Sequence, residues 1–118
     1  MRRRRSTGER AGLMAGTMAA VGILSAAAVL AVGLAGAGAA AVASQRLASA
    51  ADAGALAAAD AASGAVPGAP CERAAEVAGT FGAILEACEL DELIATVTVS
   101  ISLGPVPARA SARAGPPP

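Results

Sequence analysis

Hydrophobic residues form one long stretch near the start of the chain. No charged residue lies between positions 11 and 45, and Thr17 and Ser25 are the only polar residues between positions 13 and 43. A helix over 13–43 would be about 46 Å long, whereas the hydrocarbon core of a bilayer is about 30 Å thick. The segment is long enough to cross once and too short to cross twice, so 11–43 is predicted as one transmembrane helix.

The helical pattern continues beyond this stretch. Segment 44–63 contains no Pro and only one Gly, Gly54, and it is rich in Ala. Ala is the strongest helix former, so the same helix is expected to continue outside the membrane. Leu47, Ala51, Gly54 and Ala58 fall near one face of this extension and predict a packing surface. Segment 64–70 contains Gly and Pro and is predicted as a linker.

Segment 71–104 predicts a small α+β unit. Pro70 suits the first position of a short helix over 71–81. Strands are predicted over 84–90 and 93–103. The second strand alternates strictly, with Ala95, Val97, Val99, Ile101 and Leu103 on one face and hydroxyl residues on the other.

The predicted fold class is therefore mainly α with a small outer α+β unit: one long N-terminal transmembrane helix that extends outside the membrane, then a short helix and a β-hairpin. The last segment, 105–118, is rich in Pro, Arg and Ala. Two alternatives are open for it: a third strand through Ala110 and Ala112, or disorder.

Charge is distributed unevenly around the apolar stretch. Segment 1–10 carries five Arg and one Glu, whereas the rest of the chain carries four Arg and eight acidic residues. The positive-inside rule keeps Arg2–Arg5 and Arg10 in the cytoplasm. We therefore expect a single-pass protein of the cell membrane whose N-terminus is cytoplasmic and whose C-terminal part is extracytoplasmic. An alternative use of the Arg cluster is a patch for nucleic acid or anionic lipid.

A cleaved secretory signal peptide is the main alternative to an anchor. The basic start fits, and Ala41-Val42-Ala43 has the small-residue pattern of a cleavage site. The apolar stretch is about twice the usual ~7–15 residues of a signal peptide, which favours the anchor. Cleavage would instead release a small secreted binding module.

Composition argues against several functional classes. The chain has no His, Trp or Tyr and one Phe, and 36 of its 118 residues are Ala. Without His the usual acid–base residue at neutral pH is missing, and without aromatic rings there is no platform for stacking bases. The carboxylates at 86, 89, 91 and 92 show no calcium-loop spacing and fit better as solubilising charges on an edge strand. We expect no enzymatic activity, no cofactor or metal, no nucleic-acid partner and no small-molecule substrate.

Two features predict covalent or lateral contacts. Cys71 and Cys88 are expected to form a disulfide, which would stabilise the outer unit by about 3 kcal/mol in the loop-entropy model and would fit a location outside the cytoplasm. The alternative is two buried free thiols.

Gly12 and Gly16 form a G-x-x-x-G pattern, which lets transmembrane helices approach closely and favours packing against partner helices.

The chain resembles a known family. The Arg-rich start, the long Ala/Gly/Val helix and the pattern Arg46-x-x-x-Ala-Ala-Asp52-x-x-Ala-Leu56-Ala-Ala-Ala resemble the TadE/TadG-like proteins of Flp (tight-adherence) pilus assembly. The resemblance is closest to the short actinobacterial TadE-like proteins of secretion neighbourhoods, which also have a Cys-containing segment and an Arg/Ala/Pro-rich C-terminus. It implies a pilin-like subunit with one N-terminal span, serving a Flp pilus or a type II/IV-related secretion assembly.

One position departs from the pattern of type IV-like prepilins, which commonly carry Glu five residues after the processed Gly. Here Leu13 follows Gly8 and Thr17 follows Gly12 at that distance, and the span contains no carboxylate. The resemblance therefore implies a membrane-anchored accessory or minor-pilin role, with other pilin-like or secretion-apparatus membrane proteins as partners.

Overall fold

The computed structural model describes the backbone of residues 2–117 and the side chains of residues 10–117. It contains two helices and one antiparallel sheet: α1 (Arg2–Ala62), α2 (Pro70–Thr80), β1 (Ile84–Asp91), β2 (Ile94–Leu103) and β3 (Val106–Ala114). The predicted fold class is confirmed. The side chains of Arg2–Arg5, on which the predicted orientation depends, lie outside the described residues.

The chain divides into two compact units, 1–40 and 41–118. The described residues of the first unit are all helical. The second contains the C-terminal part of α1, α2 and the sheet, and it holds the buried hydrophobic core.

Both helices end in the same hydrogen-bonded motif. At the end of α1 the Ala65 N–H donates to the Asp60 carbonyl over 2.9 Å, and at the end of α2 the Ala83 N–H donates to the Ala78 carbonyl over 3.0 Å. In each case the residue just before the donor must adopt the left-handed backbone conformation. This residue is Gly64 (φ +80°) after α1 and Gly82 (φ +74°) after α2. Glycine adopts this conformation without a steric penalty, so these two positions fix where the helices stop.

The sheet has the order β1-β2-β3, with β2 in the centre. Val97 pairs with Cys88 of β1 and with Ala112 of β3. A bulge interrupts the β1–β2 pairing between Leu85 and Ala87. Of the two alternatives for segment 105–118, the structure shows the strand: residues 106–114 pair with residues 95–103 of β2.

The core lies between the helices and one face of the sheet. The expected face of α1 is confirmed, since Leu47, Ala51, Gly54 and Ala58 are all buried. The largest fully buried side chains are Val97 and Val99 of β2, from the face that the alternation predicted. The remaining core residues are small: Ala50, Ala55, Ala74, Ala78, Ala83 and Ala95. A core made of Ala permits close approach of backbones and buries little apolar area per residue.

Candidate functional site

The first candidate surface is the apolar part of α1. Within the described residues, one helix, over Arg10–Ala62, is long and apolar enough to cross a membrane. Its large apolar side chains are exposed all around the helix: Leu13, Met14, Met18, Val21, Ile23, Leu24, Val29, Leu30, Val32, Leu34 and Val42. A helix that is apolar on every side is typical of a membrane span.

The polar and small residues of this segment suit a lipid environment. The Thr17 hydroxyl donates to the Leu13 carbonyl over 2.8 Å, so its polar group is satisfied within the helix. A Cβ atom added at Gly12 or Gly16 would meet nothing within 4 Å. These two glycines therefore leave an open, flat patch on the helix surface, as the packing hypothesis requires.

The three residues of the family-like pattern lie on the exposed side of α1. Arg46, Asp52 and Leu56 are all solvent-accessible, and 57% of Leu56 is exposed although it is large and apolar. Arg46 also lines an open cleft of about 570 Å³, together with Ser49 and the turn after α2 (Thr80, Phe81 and Gly82). The structure therefore does not bring Arg46, Asp52 and Leu56 into the core, and they remain free for contact with other molecules.

The disulfide is confirmed. Cys71 in the first turn of α2 is bonded to Cys88 of β1, with a distance of 5.8 Å between their Cα atoms. Cys88 pairs with Val97, so the bond lies on the core face of the sheet. It links α2 covalently to the strand against which the helix packs, and it compensates for the small apolar area of the core.

The second candidate surface is the face of the sheet that points away from the helices. The Arg109 Nε donates to the Glu86 Oε2 over 2.6 Å, which joins β3 to β1 across the central strand. The Thr98 and Ser111 hydroxyls are hydrogen-bonded over 2.7 Å. This face is polar, with hydroxyl residues along β2 between the charged side chains of the two edge strands.

Charge on this face is separated by strand. β1 carries Glu86, Glu89 and Asp91 and no basic residue, whereas β3 carries Arg109 and Arg113 and no acidic residue. The register places Glu89, Thr96 and Arg113 in one row across the sheet. In the described part of the chain no group of three or more His, Cys, Asp or Glu residues is placed to hold a metal ion.

Comparison of the chain with protein-family models, curated proteins and solved structures found no match.

Sequence reasoning missed the charged rows of the sheet. The signal was present in segment 108–114, where Ala alternates with Arg or Ser at every second position. Ala is a poor strand former, so that alternation is weak until a partner strand is known. The bulge at Glu86, which turns its carboxylate toward Arg109, has no local signal in the sequence.

Proposed function

We propose that the protein is a membrane-anchored structural subunit, pilin-like in the TadE sense, that serves a Flp pilus or a related secretion assembly. The observation that carries the proposal is the composition and exposure of α1. Its apolar segment leaves every large side chain open, and its Ala-rich extension supplies the core face beneath a disulfide-linked α+β unit. In this role the protein acts through surfaces and has no catalytic site.

The proposed topology places the Arg-rich segment 1–10 in the cytoplasm and the disulfide-containing unit outside. Two independent features support it. The basic residues on the N-terminal side of the span agree with the positive-inside rule. The Cys71–Cys88 bond agrees with an oxidising compartment on the other side.

Partners are proposed to meet the protein at two surfaces. Within the membrane, the flat patch at Gly12 and Gly16 fits another apolar helix. Outside it, the exposed residues Arg46, Asp52 and Leu56 are available to other pilin-like or secretion-apparatus proteins.

The experiment that tests the anchor is the intact mass of native protein from carbonate-washed membranes, with and without reductant. We expect a mass that retains segment 13–43 and rises by about two units on reduction of one disulfide. Recovery of the protein only from the soluble fraction, after the same wash, would contradict the anchor. Labelling of an added N-terminal or C-terminal cysteine by an impermeant reagent on intact cells then tests the orientation.

The pilus or secretion role is tested separately, by cross-linking the full-length protein in its own cells and identifying the captured proteins by mass. We expect other single-span pilin-like proteins or secretion-apparatus membrane proteins. Capture of none of these, from cells that express such an apparatus, would contradict this part of the proposal and leave the anchor standing.

A secreted binding module is the second candidate, and one observation favours it. The boundary between the two compact units falls at Ala40, directly before Ala41-Val42-Ala43, and Leu47, the first buried residue of the core, lies beyond it. Cleavage there would leave the core of the second unit intact. A mature protein that begins near Ser44 and is recovered from the medium would establish this candidate and exclude the anchored one.

A further inference from the structure

The two edge strands of the sheet are open to pairing. β1 and β3 each have one neighbour, β2, so each keeps one row of backbone N–H and C=O groups outside the sheet's ladder. Such a row is a template for a strand from another molecule. Charged side chains on an edge either prevent this pairing or select its partner. Two edges of the same charge repel each other, whereas two edges of opposite charge attract.

Here the two edges carry opposite charges on the same face. Glu89 and Asp91 project from β1 and Arg113 projects from β3, all on the face away from the helices, and all three are exposed. The Arg109 guanidinium is bonded to Glu86 of its own chain. Arg113 has no ion-pair partner among the described residues.

We propose that a second copy of this chain adds to the sheet edge to edge, with β3 of one copy beside β1 of the next. β1 and β3 run in the same direction, because each is antiparallel to β2. A copy that is shifted sideways without being turned over therefore presents its β1 parallel to the first copy's β3. The row Glu89–Thr96–Arg113 then continues into Glu89 of the next copy, about 4.8 Å from Arg113 along the sheet.

The symmetric alternatives are disfavoured by charge. A two-fold pairing of β1 with β1 would place Glu89 and Asp91 of one copy beside the same carboxylates of the other. A two-fold pairing of β3 with β3 would place Arg109 and Arg113 beside the same cations. Only the β3-to-β1 contact brings opposite charges together at Arg113, and like charges directly opposite each other on neighbouring strands are destabilising.

The geometry has a consequence for assembly. When β3 of one copy pairs with β1 of another, the dimer keeps one unpaired β1 edge and one unpaired β3 edge. Further copies therefore add at both ends. The twist of the sheet makes the resulting array helical. This inference goes beyond the proposed function, because it assigns a surface through which copies of the chain contact one another outside the membrane.

The test uses two charge reversals in the full-length protein, in detergent micelles or bilayers. Arg113→Glu places a carboxylate at both ends of the row Glu89–Thr96–Arg113, and Glu89→Arg places a guanidinium at both ends of it. Each variant alone is expected to raise the dissociation constant for self-association by roughly ten- to hundredfold. An equimolar mixture of the two is expected to restore association, because position 113 of each variant then meets position 89 of opposite charge in the other variant.

The controls separate this contact from other effects. Asp60→Arg changes the net charge by the same amount as Glu89→Arg at an exposed position on α1, outside the two edge strands, and should associate as the wild type does. The mixture of the two reversals is the corresponding control for Arg113→Glu. Membrane retention of every variant is measured in parallel, so that failure of edge pairing is distinguished from failure of the anchor. The readout is the mass distribution by sedimentation at several protein concentrations.

Three results would overturn the proposal. The first is a wild-type protein that remains monomeric at every concentration. The second is association that neither reversal weakens, which would place the contact elsewhere, for example in the apolar helix. The third is a mixture of the two variants that associates no better than either variant alone.

Discussion

The helix α1 packs against the sheet where Gly54 lies next to Val97. A Cβ atom built on Gly54 would lie 3.4 Å from the Val97 Cγ1 and 3.5 Å from the Ala74 carbonyl oxygen, so this one position contacts both the central strand and the second helix. One added carbon makes ordinary contacts at these distances, and anything longer collides with them.

This relationship predicts opposite effects for two substitutions at one position. Gly54→Ala is expected to stabilise the protein by about 0.5–1 kcal/mol, because Ala is the better helix former and its methyl group fits. Gly54→Leu is expected to destabilise it by about 1–3 kcal/mol through overpacking. Chemical denaturation of both variants measures the free energy of unfolding. A Leu variant as stable as the wild type would show that α1 does not pack as described.

Val97 and Val99 are predicted to contribute most to the small core. They are the largest fully buried side chains, and their neighbours are mainly Ala. Val97→Ala should cost about 2 kcal/mol, from the lost transfer free energy plus the cavity that remains. The matched control is Val106→Ala, because 66% of Val106 is exposed and its loss should change stability by less than about 0.5 kcal/mol. Equal effects of the two substitutions, by denaturant titration, would contradict the assigned core.

Reduction of Cys71–Cys88 is predicted to lower stability by about 3 kcal/mol, because the bond closes a loop of 17 positions. Thermal unfolding with and without reductant measures the loss, and it should reproduce that of the Cys71→Ala, Cys88→Ala double variant. The Arg109–Glu86 pair offers a contrast. Its side chains are 63% and 32% exposed, so its removal should cost less than about 1 kcal/mol. A disulfide effect no larger than that of the ion pair would contradict the role assigned to the bond.

The features that could be predicted from the sequence are those with a local periodic signal. The apolar stretch, the Ala face of α1 and the alternation of β2 each repeat at the spacing of their own element, and Gly64 begins the predicted linker and follows the end of α1. The exact positions of the helix ends are fixed by hydrogen bonds that involve only neighbouring residues. Because these signals are local, the fold class can be predicted from the sequence alone.

The remaining features depend on pairing between distant segments. Segment 108–114 becomes a strand because β2 offers it a complete partner, and Ala by itself gives little reason for a strand. The Glu86–Arg109 contact joins residues 23 positions apart and depends on both the bulge and the register. No local rule contains that information, so the charged face of the sheet emerges only from the structure.

The flat patch on the apolar helix makes a prediction about lateral association. Gly12→Leu and Gly16→Leu should leave folding and membrane retention unchanged, because a Cβ atom at either position meets nothing within 4 Å. They should weaken co-purification with partner helices, because the larger side chains hold the backbones apart. Gly36→Leu, also open but outside the G-x-x-x-G pattern, is the matched control. Recovery of the same partners by all three variants would show that helix packing does not use Gly12 and Gly16.

Removal of β3 is predicted to unfold the outer unit. Ending the chain at Gly104 leaves the hairpin of β1 and β2, and it uncovers the side of β2 where Ala110 and Ala112 pair with Val99 and Val97. A two-stranded hairpin is marginal in water, so we expect loss of cooperative unfolding and rapid proteolysis beyond the membrane segment. Ending the chain at Gly115 keeps β3 complete and should melt as the full-length protein does. If the shorter chain also unfolds cooperatively at the same temperature, then β3 is dispensable for the core. In that case Arg109 and Arg113 would serve only contacts with other molecules.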